Sequence, residues 1–155
     1  MPSKAKHPVT IRALHQDDRS HWESLFRNYA AFYNTGLNAN IEAIVWEWIF
    51  DEHNDFWCDL ALDDSGTIIG FAHYQLMHRS LGGSMVCYLS DLFVNPRSRG
   101  NGVGRALIDH VLAFAKAQGL PDVRWYTQEF NYPGRTLYDT YAKKSDFIVY
   151  VVPAK

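Results

Sequence analysis

Residues 94–107 read VNPRSRGNGVGRAL, which is the end of an apolar strand, a glycine-rich turn and the beginning of an amphipathic helix. Glycine at positions 100, 102 and 104 removes Cβ atoms, so that successive backbone N–H groups can converge on an anion. The N-terminus of a helix already favours negative charge, and Arg99 and Arg105 add positive charge on either side. The stretch therefore predicts a phosphate-binding turn.

Two other glycine-rich phosphate loops fit this stretch less well. A P-loop ends in Gly-Lys-Ser/Thr, whereas Gly104 is followed by Arg105 and Ala106. A dinucleotide-binding fingerprint has the spacing Gly-x-Gly-x-x-Gly near the start of a βαβ unit, and this turn reads Gly-x-Gly-x-Gly two thirds of the way along the chain. A plain glycine-rich turn between a strand and a helix is the remaining alternative.

The composition indicates one compact domain at 9–155, preceded by a loose tail at 1–8. The net charge of -2 gives no general attraction to nucleic acid. No apolar run reaches the roughly 18 residues of a membrane span, and the N-terminus lacks the apolar core of a signal peptide. We therefore expect a cytoplasmic protein with neither a nucleic acid nor a membrane as its partner.

The chain holds two cysteines, Cys58 and Cys87, and both lie in apolar, strand-like runs. No histidine or cysteine stands at a spacing that suits zinc. We expect both cysteines to be reduced core residues, so the sequence predicts neither a disulfide nor a metal site.

The N-terminal third predicts a strand at 9–12 and two helices. Asp17 or Asp18 would cap the first helix, whose apolar stripe consists of Trp22, Leu25, Phe26, Tyr29 and Phe32. The second helix is expected at 41–50, with a buried set of Ile44, Val45, Trp48 and Ile49.

The rest of the chain alternates strands and helices. Strands are expected at 56–62, 67–76 and 85–94, then a helix from the glycine turn to about 119, a strand at 123–127, a helix from 135 to about 143 and a last strand at 147–152. The order β-α-α-β-β-β-α-β-α-β describes an α/β fold with a mixed sheet. Its hairpins are antiparallel, and the crossover through the helix after the glycine turn is parallel.

The spacing Arg99-x-x-Gly102-x-Gly104 resembles the acyl-CoA pyrophosphate loop of the GNAT superfamily, the N-acetyltransferases that move an acetyl group from acetyl-CoA to an amine. The strand YLSDLFVNP at 88–96 is similar to the fourth strand of that family, and the element order over 9–152 also matches. The resemblance implies a GNAT-like fold with acetyl-CoA as co-substrate and no metal. It implies that the cofactor-binding residues are Leu92, Phe93, Val94, Arg99, Gly100, Asn101, Gly102, Val103, Gly104, Arg105 and Asn131.

The pattern Asn131-x-x-Gly134-x-x-Leu137-Tyr138 resembles the last helix of the family. The resemblance implies that Asn131 contacts the pantetheine arm and that the Tyr138 hydroxyl faces the leaving sulfur as a catalytic acid. A tyrosine beside a leucine on an amphipathic helix also suits ordinary packing. The segment 135–150 is similar to the histone and polyamine acetyltransferase subgroup, except that Asp146 stands where a glycine is usual.

Acetyl transfer also needs a group that binds the amine or takes its proton. Many relatives in that subgroup carry Tyr-Leu-Glu-Asp on the fourth strand, and Ser90 replaces the glutamate here and cannot act as a base. Asp91, which simple alternation places on the opposite face from Ser90, is either the catalytic group, directly or through water, or a structural acid. Glu129 is a second candidate acceptor. His73 and His78 could also take a proton, although a lone histidine on a strand is more typical of packing.

The first two helices and their linker form one wall of the acceptor site in the family. Aromatic rings and carboxylates can hold a cationic amine, although rings at helical spacing also suit a core. The side chains available in this region are Tyr29, Phe32, Tyr33, Asn34, Trp46 and Glu47. The expected substrate-binding residues are Tyr33, Ser90 and Glu129.

These residues predict an acetyl-CoA-dependent N-acetyltransferase in which a bound amine attacks the thioester directly. The acceptor is either a small amine or a protein lysine or N-terminus. The alternative is a non-catalytic acyl-CoA-binding or regulatory domain of the same fold, because Ser90 occupies the glutamate position. The apolar, aromatic last strands predict a homodimer.

Overall fold

The fold comprises two units in the computed structural model, which describes residues 8–155. Residues 1–7, which make up most of the expected tail, lie outside the described residues. The first unit ends at Trp125 and the second spans Tyr126–Lys155. The elements of the first unit are β1 Thr10–Ala13, α1 Arg19–Phe32, α2 Ala39–Phe50, β2 Phe56–Leu62, β3 Ile68–Arg79, β4 Ser84–Val94, α3 Val103–Ala117 and β5 Val123–Arg124. The second unit contains α4, Tyr132–Tyr138.

The first unit is built on a sheet that has, within residues 8–155, five strands in the order β1-β2-β3-β4-β5. Strands β1 to β4 pair antiparallel, while β4 and β5 pair parallel across α3, with Cys87 opposite Val123. These pairings confirm the predicted mixed sheet and its parallel crossover. The β4–β5 pairing covers only the first half of β4, so residues 89–94 pair with β3 alone among the described strands.

Helix α1 covers one face of the sheet with most of the predicted apolar stripe, whose last residue, Phe32, is instead 51% exposed. Trp22, Leu25 and Phe26 are buried in the core beneath it. Asp18 precedes the helix but does not cap it with its side chain. Its carboxylate instead accepts hydrogen bonds of 2.7 and 3.0 Å from the Arg12 guanidinium, and this pair ties the start of α1 to β1.

Helix α2 buries part of the predicted set, because Val45 is buried and Ile49 packs against the core. Trp46 is buried in place of Trp48, and Ile44 is exposed. The sequence left the face ambiguous because apolar residues occur all round this helix. The buried Glu42 carboxylate bonds to the guanidinium of Arg27 on α1 at 2.9 Å, and this ion pair fixes which side of α2 faces α1.

Helix α3 covers the opposite face of the sheet. Two sheet aromatics, Trp57 and Tyr74, pack against Phe114 of this helix with ring centres 4.9 and 5.1 Å apart. The buried side of α3 consists of Val103, Leu107, Ile108, Val111 and Ala115.

Both cysteines are buried and free, as predicted. Burial raises the pKa of the Cys58 thiol and raises that of Cys87 to about 11. A thiol that ionises only at high pH is a poor nucleophile near neutrality. Neither cysteine is therefore suited to carrying an acyl group covalently.

The second unit departs most from the sequence prediction. Helix α4 begins and ends earlier in the chain than the helix expected at 135–143. The strand expected at 147–152 is not formed. The side chains at 147–152 are all apolar and are 60–87% exposed. A strand needs a neighbour that satisfies its backbone groups, and the described residues supply none for this segment.

Candidate active site

The glycine turn, residues 99–105, leads into α3 with unsatisfied backbone donors. Gly100 and Gly102 have φ angles of +82° and +76°, which residues with a Cβ rarely adopt, so the turn requires glycine at both positions. Within the described part of the chain, the N–H groups of residues 100–104 donate to no oxygen. Free donors at the N-terminus of a 15-residue helix fit a diphosphate group.

The two arginines of this turn are both exposed. The Arg99 Nε–H donates to the backbone oxygen of Val94 at 3.2 Å. Its guanidinium carbon lies 5.4 Å from the ring centre of Phe32 and 5.7 Å from that of Phe93. These contacts hold the positive charge of Arg99 beside the turn, while Arg105 lies on the first turn of α3.

The edge of β4 that faces away from β3 presents free backbone positions. The Asn95 N–H donates to the Ile69 oxygen of β3 at 2.8 Å. Because N–H directions alternate along a strand, those of Leu92 and Val94 point away from β3, where no described strand pairs with them. Phe93, between them, is buried in the core. The edge can thus donate to a carbonyl group, which fits the expectation that Leu92 and Val94 are cofactor-binding residues.

A β-bulge brings Ser90 and Asp91 together on β4. His73 pairs with Asp91 while the next residue of β3, Tyr74, pairs with Leu89, so that Ser90 is the extra residue. The Ser90 hydroxyl oxygen lies 3.2 Å from Oδ2 of Asp91 and 3.2 Å from the backbone oxygen of His73. The expectation that Ser90 and Asp91 lie on opposite faces is therefore wrong, because the bulge interrupts the alternation.

Asp91 is bonded on one side and partly exposed. Nδ1 of His73 lies 3.0 Å from Oδ2 of Asp91, and the hydroxyls of Tyr29 and Ser90 also bond to this carboxylate. The Asp91 side chain keeps 24% of its exposure. Burial opposes ionisation, but the hydrogen bonds outweigh it and lower the pKa of this carboxyl from its usual 3.8. Asp91 is therefore negatively charged at neutral pH.

Tyr29 and Tyr33, at the end of α1, border the same carboxylate. Their ring centres are 5.0 Å apart, edge to face. Burial, and then the negative charge of Asp91, raise the pKa of both phenols, so both remain protonated donors. The structure thus brings the predicted residues Tyr33, Ser90 and Asp91 into one cluster.

The remaining predicted residues belong to the second unit. The Asn131 side chain caps α4 by accepting from the Gly134 N–H at 3.3 Å. Its amide nitrogen donates to the Thr127 hydroxyl at 2.9 Å. Tyr138 is half-buried in the last turn of α4, and Glu129 is exposed.

Residues 8–155 contain neither a metal-binding cluster nor a membrane-spanning helix. No three side chains of His, Cys, Asp or Glu are grouped so that they could hold a metal ion. None of the described helices has the length and apolar character that crossing a bilayer requires. The expectation that the reaction needs no metal stays a prediction.

A family model described as the acetyltransferase (GNAT) family matches residues 18–141. The chain belongs to the GNAT family. It is accordingly an acetyl-CoA-dependent N-acetyltransferase. This GNAT chain is 33% identical over 143 residues to the D-amino-acid N-acetyltransferase of Saccharomyces cerevisiae, which covers 92% of this chain and 89% of that protein.

Solved structures share this GNAT fold. The ribosomal-protein-alanine N-acetyltransferase of Brucella melitensis superposes with a TM-score of 0.78 at 22% identity, over 95% of this chain and 99% of that one. An aminoglycoside N-acetyltransferase in complex with CoA superposes with a TM-score of 0.82 at 21% identity, over 100% of this chain and 99% of that one. At these identities the similarity establishes the fold alone.

Sequence reasoning favoured packing for three residues that contact Asp91 directly or through His73, namely Tyr29, His73 and Trp22. Tyr29 was assigned chiefly to the core, although it stands one helical turn before Tyr33 and so shares its face. His73 and Trp22 are 51 residues apart in the chain, and the indole N–H of Trp22 donates to Nε2 of His73 at 3.0 Å. No local sequence pattern predicts a hydrogen bond between residues so far apart in the chain.

Proposed function

We propose that the acceptor is a primary amine whose ammonium group binds Asp91 and which then attacks the thioester of acetyl-CoA directly. The observation that carries this proposal is the Asp91 carboxylate, which is ionised, partly exposed and bonded on its inner side. An ammonium group is the natural partner for a carboxylate in this state. Direct attack is supported by the two buried thiols, which are not suited to forming an acyl-enzyme.

The coenzyme is proposed to bind the glycine turn and the open edge of β4. Acetyl-CoA supplies an activated acetyl group. The N–H groups of the turn would hold its diphosphate, and those of Leu92 and Val94 would hydrogen-bond to the arm and the acetyl carbonyl. The proposed coenzyme site comprises Leu92, Phe93, Val94, Arg99, Gly100, Asn101, Gly102, Val103, Gly104, Arg105 and Asn131.

The low pKa of Asp91 suits this carboxylate to binding the ammonium group, a role we call the amine anchor, rather than to removing its proton. An alkylammonium with a pKa near 10.4 costs about 4.6 kcal/mol to deprotonate at pH 7. The carboxyl of Asp91, with its pKa below 3.8, cannot keep that proton. We infer that Asp91 binds and orients the amine while the proton passes to water, with Tyr33, Ser90 and Glu129 as further substrate-binding residues.

Tyr138 is proposed as the acid that protonates the leaving thiolate. Its phenol is the group that the resemblance of 131–138 assigns to this step, and a phenol with a pKa near 10 can protonate a thiolate. This role makes residues 9–155 one catalytic domain, because Tyr138 and the glycine turn would serve the same reaction. The family match over 18–141 includes parts of both units and supports that view.

The acceptor class is tested by thiol release from acetyl-CoA across a panel of amines. The yeast relative acts on D-amino acids, so we propose a free amino acid or similar small amine as the first candidate. The panel pairs D- and L-amino acids and adds polyamines, an aminoglycoside and a lysine-containing peptide. Turnover that is restricted to the peptide would overturn the small-amine proposal, and absence of thiol release with every amine would overturn the function.

A homodimer is proposed from the exposed apolar segment at 147–152. Six consecutive apolar side chains in water are costly, and a second copy that pairs with them would remove that cost. Light scattering on the full chain tests the dimer, with Ile148→Asp expected to yield monomers. The histone and polyamine acetyltransferase subgroup and the cytoplasmic location stay predictions, the latter supported by two free buried cysteines.

A further inference from the structure

A fully buried histidine lies behind Asp91. His73 has 0% exposure, and its ring centre lies 4.7 to 5.5 Å from those of three phenylalanines. Such surroundings suit a hydrophobic side chain, since a polar ring there loses its water. Both ring nitrogens nevertheless have partners: Nδ1 lies 3.0 Å from Oδ2 of Asp91, and Nε2 lies 3.0 Å from the indole nitrogen of Trp22.

The partners determine which nitrogen carries the proton. An indole N–H only donates, so Nε2 of His73 must accept from Trp22 and carries no hydrogen. The ring proton is then on Nδ1 and points at Asp91, which as a carboxylate only accepts. Trp22 therefore donates to His73, and His73 donates to Asp91. The second of these hydrogen bonds is charge-assisted, because its acceptor is a carboxylate.

This inference rests on the proposed function of Asp91 as the amine anchor. We propose that His73 is a positioning residue, which Trp22 holds in its Nδ1–H tautomer and which fixes the Asp91 carboxylate towards the acceptor amine. Because His73 is fully buried, it acts only through Asp91. Two partners of the carboxylate, the hydroxyls of Tyr29 and Ser90, can rotate, whereas the imidazole N–H has a fixed direction.

The matched variants His73→Leu and His73→Asn test the proposal. Both remove the acceptor at the position of Nε2, and only asparagine can place an N–H donor near the position of Nδ1. We expect His73→Leu to raise the KM for the amine about 10-fold or more, which is the effect of losing a hydrogen bond to a charged group, and His73→Asn to restore most of it. Thermal stabilisation by acetyl-CoA should persist in both variants. Equal KM values for the two variants would overturn the proposal.

Asp91→Asn in the same assay separates the two proposals. If Asp91→Asn raises the amine KM while His73→Leu does not, Asp91 remains the anchor and the role of His73 is wrong. If Asp91→Asn leaves the KM unchanged, the anchor itself is wrong, and the positioning role is overturned with it.

A measurement on the wild-type protein tests the proposal without a variant that could fail to fold. Nitrogen NMR of the full-length protein should show His73 as a single Nδ1–H tautomer. In Trp22→Phe, which keeps an aromatic ring but removes the indole N–H, we expect the Nε2 resonance to shift because this nitrogen loses its donor, while Asp91 keeps the ring proton on Nδ1. A wild-type protein in which His73 carries its proton on Nε2 would contradict the proposal.

Discussion

Each face of the sheet carries an aspartate paired with a histidine. The histidine is the buried partner in one pair, and the aspartate is the buried partner in the other. On the α1 face, His73 is fully buried and the Asp91 side chain is 24% exposed. On the α3 face, the Asp59 side chain is 5% exposed and that of His110 is 45% exposed. The two nitrogen–oxygen distances are nearly the same, 3.0 and 2.9 Å.

The difference shows that the choice of the buried partner, rather than the residue types, decides whether the carboxylate is open to a ligand. Oδ2 of Asp59 is shared by His110 and by the Tyr74 hydroxyl, which donates at 2.9 Å, and the carboxylate is closed to solvent. Burial and the charge of Asp59 raise the pKa of Tyr74, so this phenol stays a donor. The Asp59 pair joins α3 to β2, whereas the Asp91 pair presents its carboxylate outward.

Tyr138→Phe sharpens the comparison most, because it tests the reaction without altering either pair. If Tyr138 protonates the leaving thiolate, the variant should lose about 100-fold in kcat, which is typical of removing a general acid. Acetyl-CoA should still raise its melting temperature. Tyr141→Phe, a nearby tyrosine in the same unit, is the control, and equal turnover of Tyr138→Phe and the parent would remove Tyr138 from the mechanism.

Gly104→Glu tests the proposed diphosphate site at the glycine turn. A carboxylate in the first turn of α3 suits the helix dipole, so the fold should be kept, while its charge repels the diphosphate. We expect acetyl-CoA binding to weaken about 30-fold, or roughly 2 kcal/mol, with the melting shift lost. Gly104→Gln separates charge from bulk. A full melting shift in the glutamate variant would contradict the coenzyme site.

Asp59→Asn tests the structural half of the comparison. The variant removes a buried carboxylate that accepts from His110 and Tyr74, so it should lose about 1–3 kcal/mol in the free energy of unfolding. Its kinetic constants for the amine should stay within about twofold of the wild type, since ordinary surface and structural changes act on stability rather than turnover. Urea denaturation and initial rates on one preparation give both values. A stable variant with impaired amine kinetics would reverse the assignment.

The smallest expected effect is a difference in pH dependence. The groups that face Asp91 are His73 from β3, Tyr29 and Tyr33 from α1, and Ser90 from β4. Because the pKa of Asp91 is lowered from 3.8, its ionised form stabilises the fold above that pH, and this contribution is lost as the pH falls through the lower folded value. Urea denaturation between pH 3 and 7 should show the wild type losing stability relative to Asp91→Asn at the acid end. A constant gap would contradict the lowered pKa.

The sequence predicted the elements whose requirements are local. The hairpin strands and α3 follow from side-chain periodicity, and the turn at 99–105 follows from backbone angles that only glycine adopts readily at Gly100 and Gly102. The buried face of α2 followed only in part, because both sides are apolar and the ion pair between Arg27 and the buried Glu42 favours one of them.

Local sequence patterns did not predict the side-chain contacts within the site. The bulge at Ser90 depends on the register of β4 against β3, and it places Ser90 and Asp91 together where alternation separates them. The contact between Trp22 and His73 joins residues that are distant in the chain. The segment at 147–152 has the composition of a strand, but a strand also needs a partner, which composition does not supply.

Initial-rate kinetics of Asp91→Asn beside Asp59→Asn test most directly whether the outward carboxylate receives the amine. We predict that Asp91→Asn lowers kcat/KM for the amine about 30-fold or more, which corresponds to losing a charged contact of roughly 2 kcal/mol, while acetyl-CoA still stabilises the variant. Asp59→Asn should match the wild type in the same assay. Equal kcat/KM values for Asp91→Asn and the wild type would contradict the account.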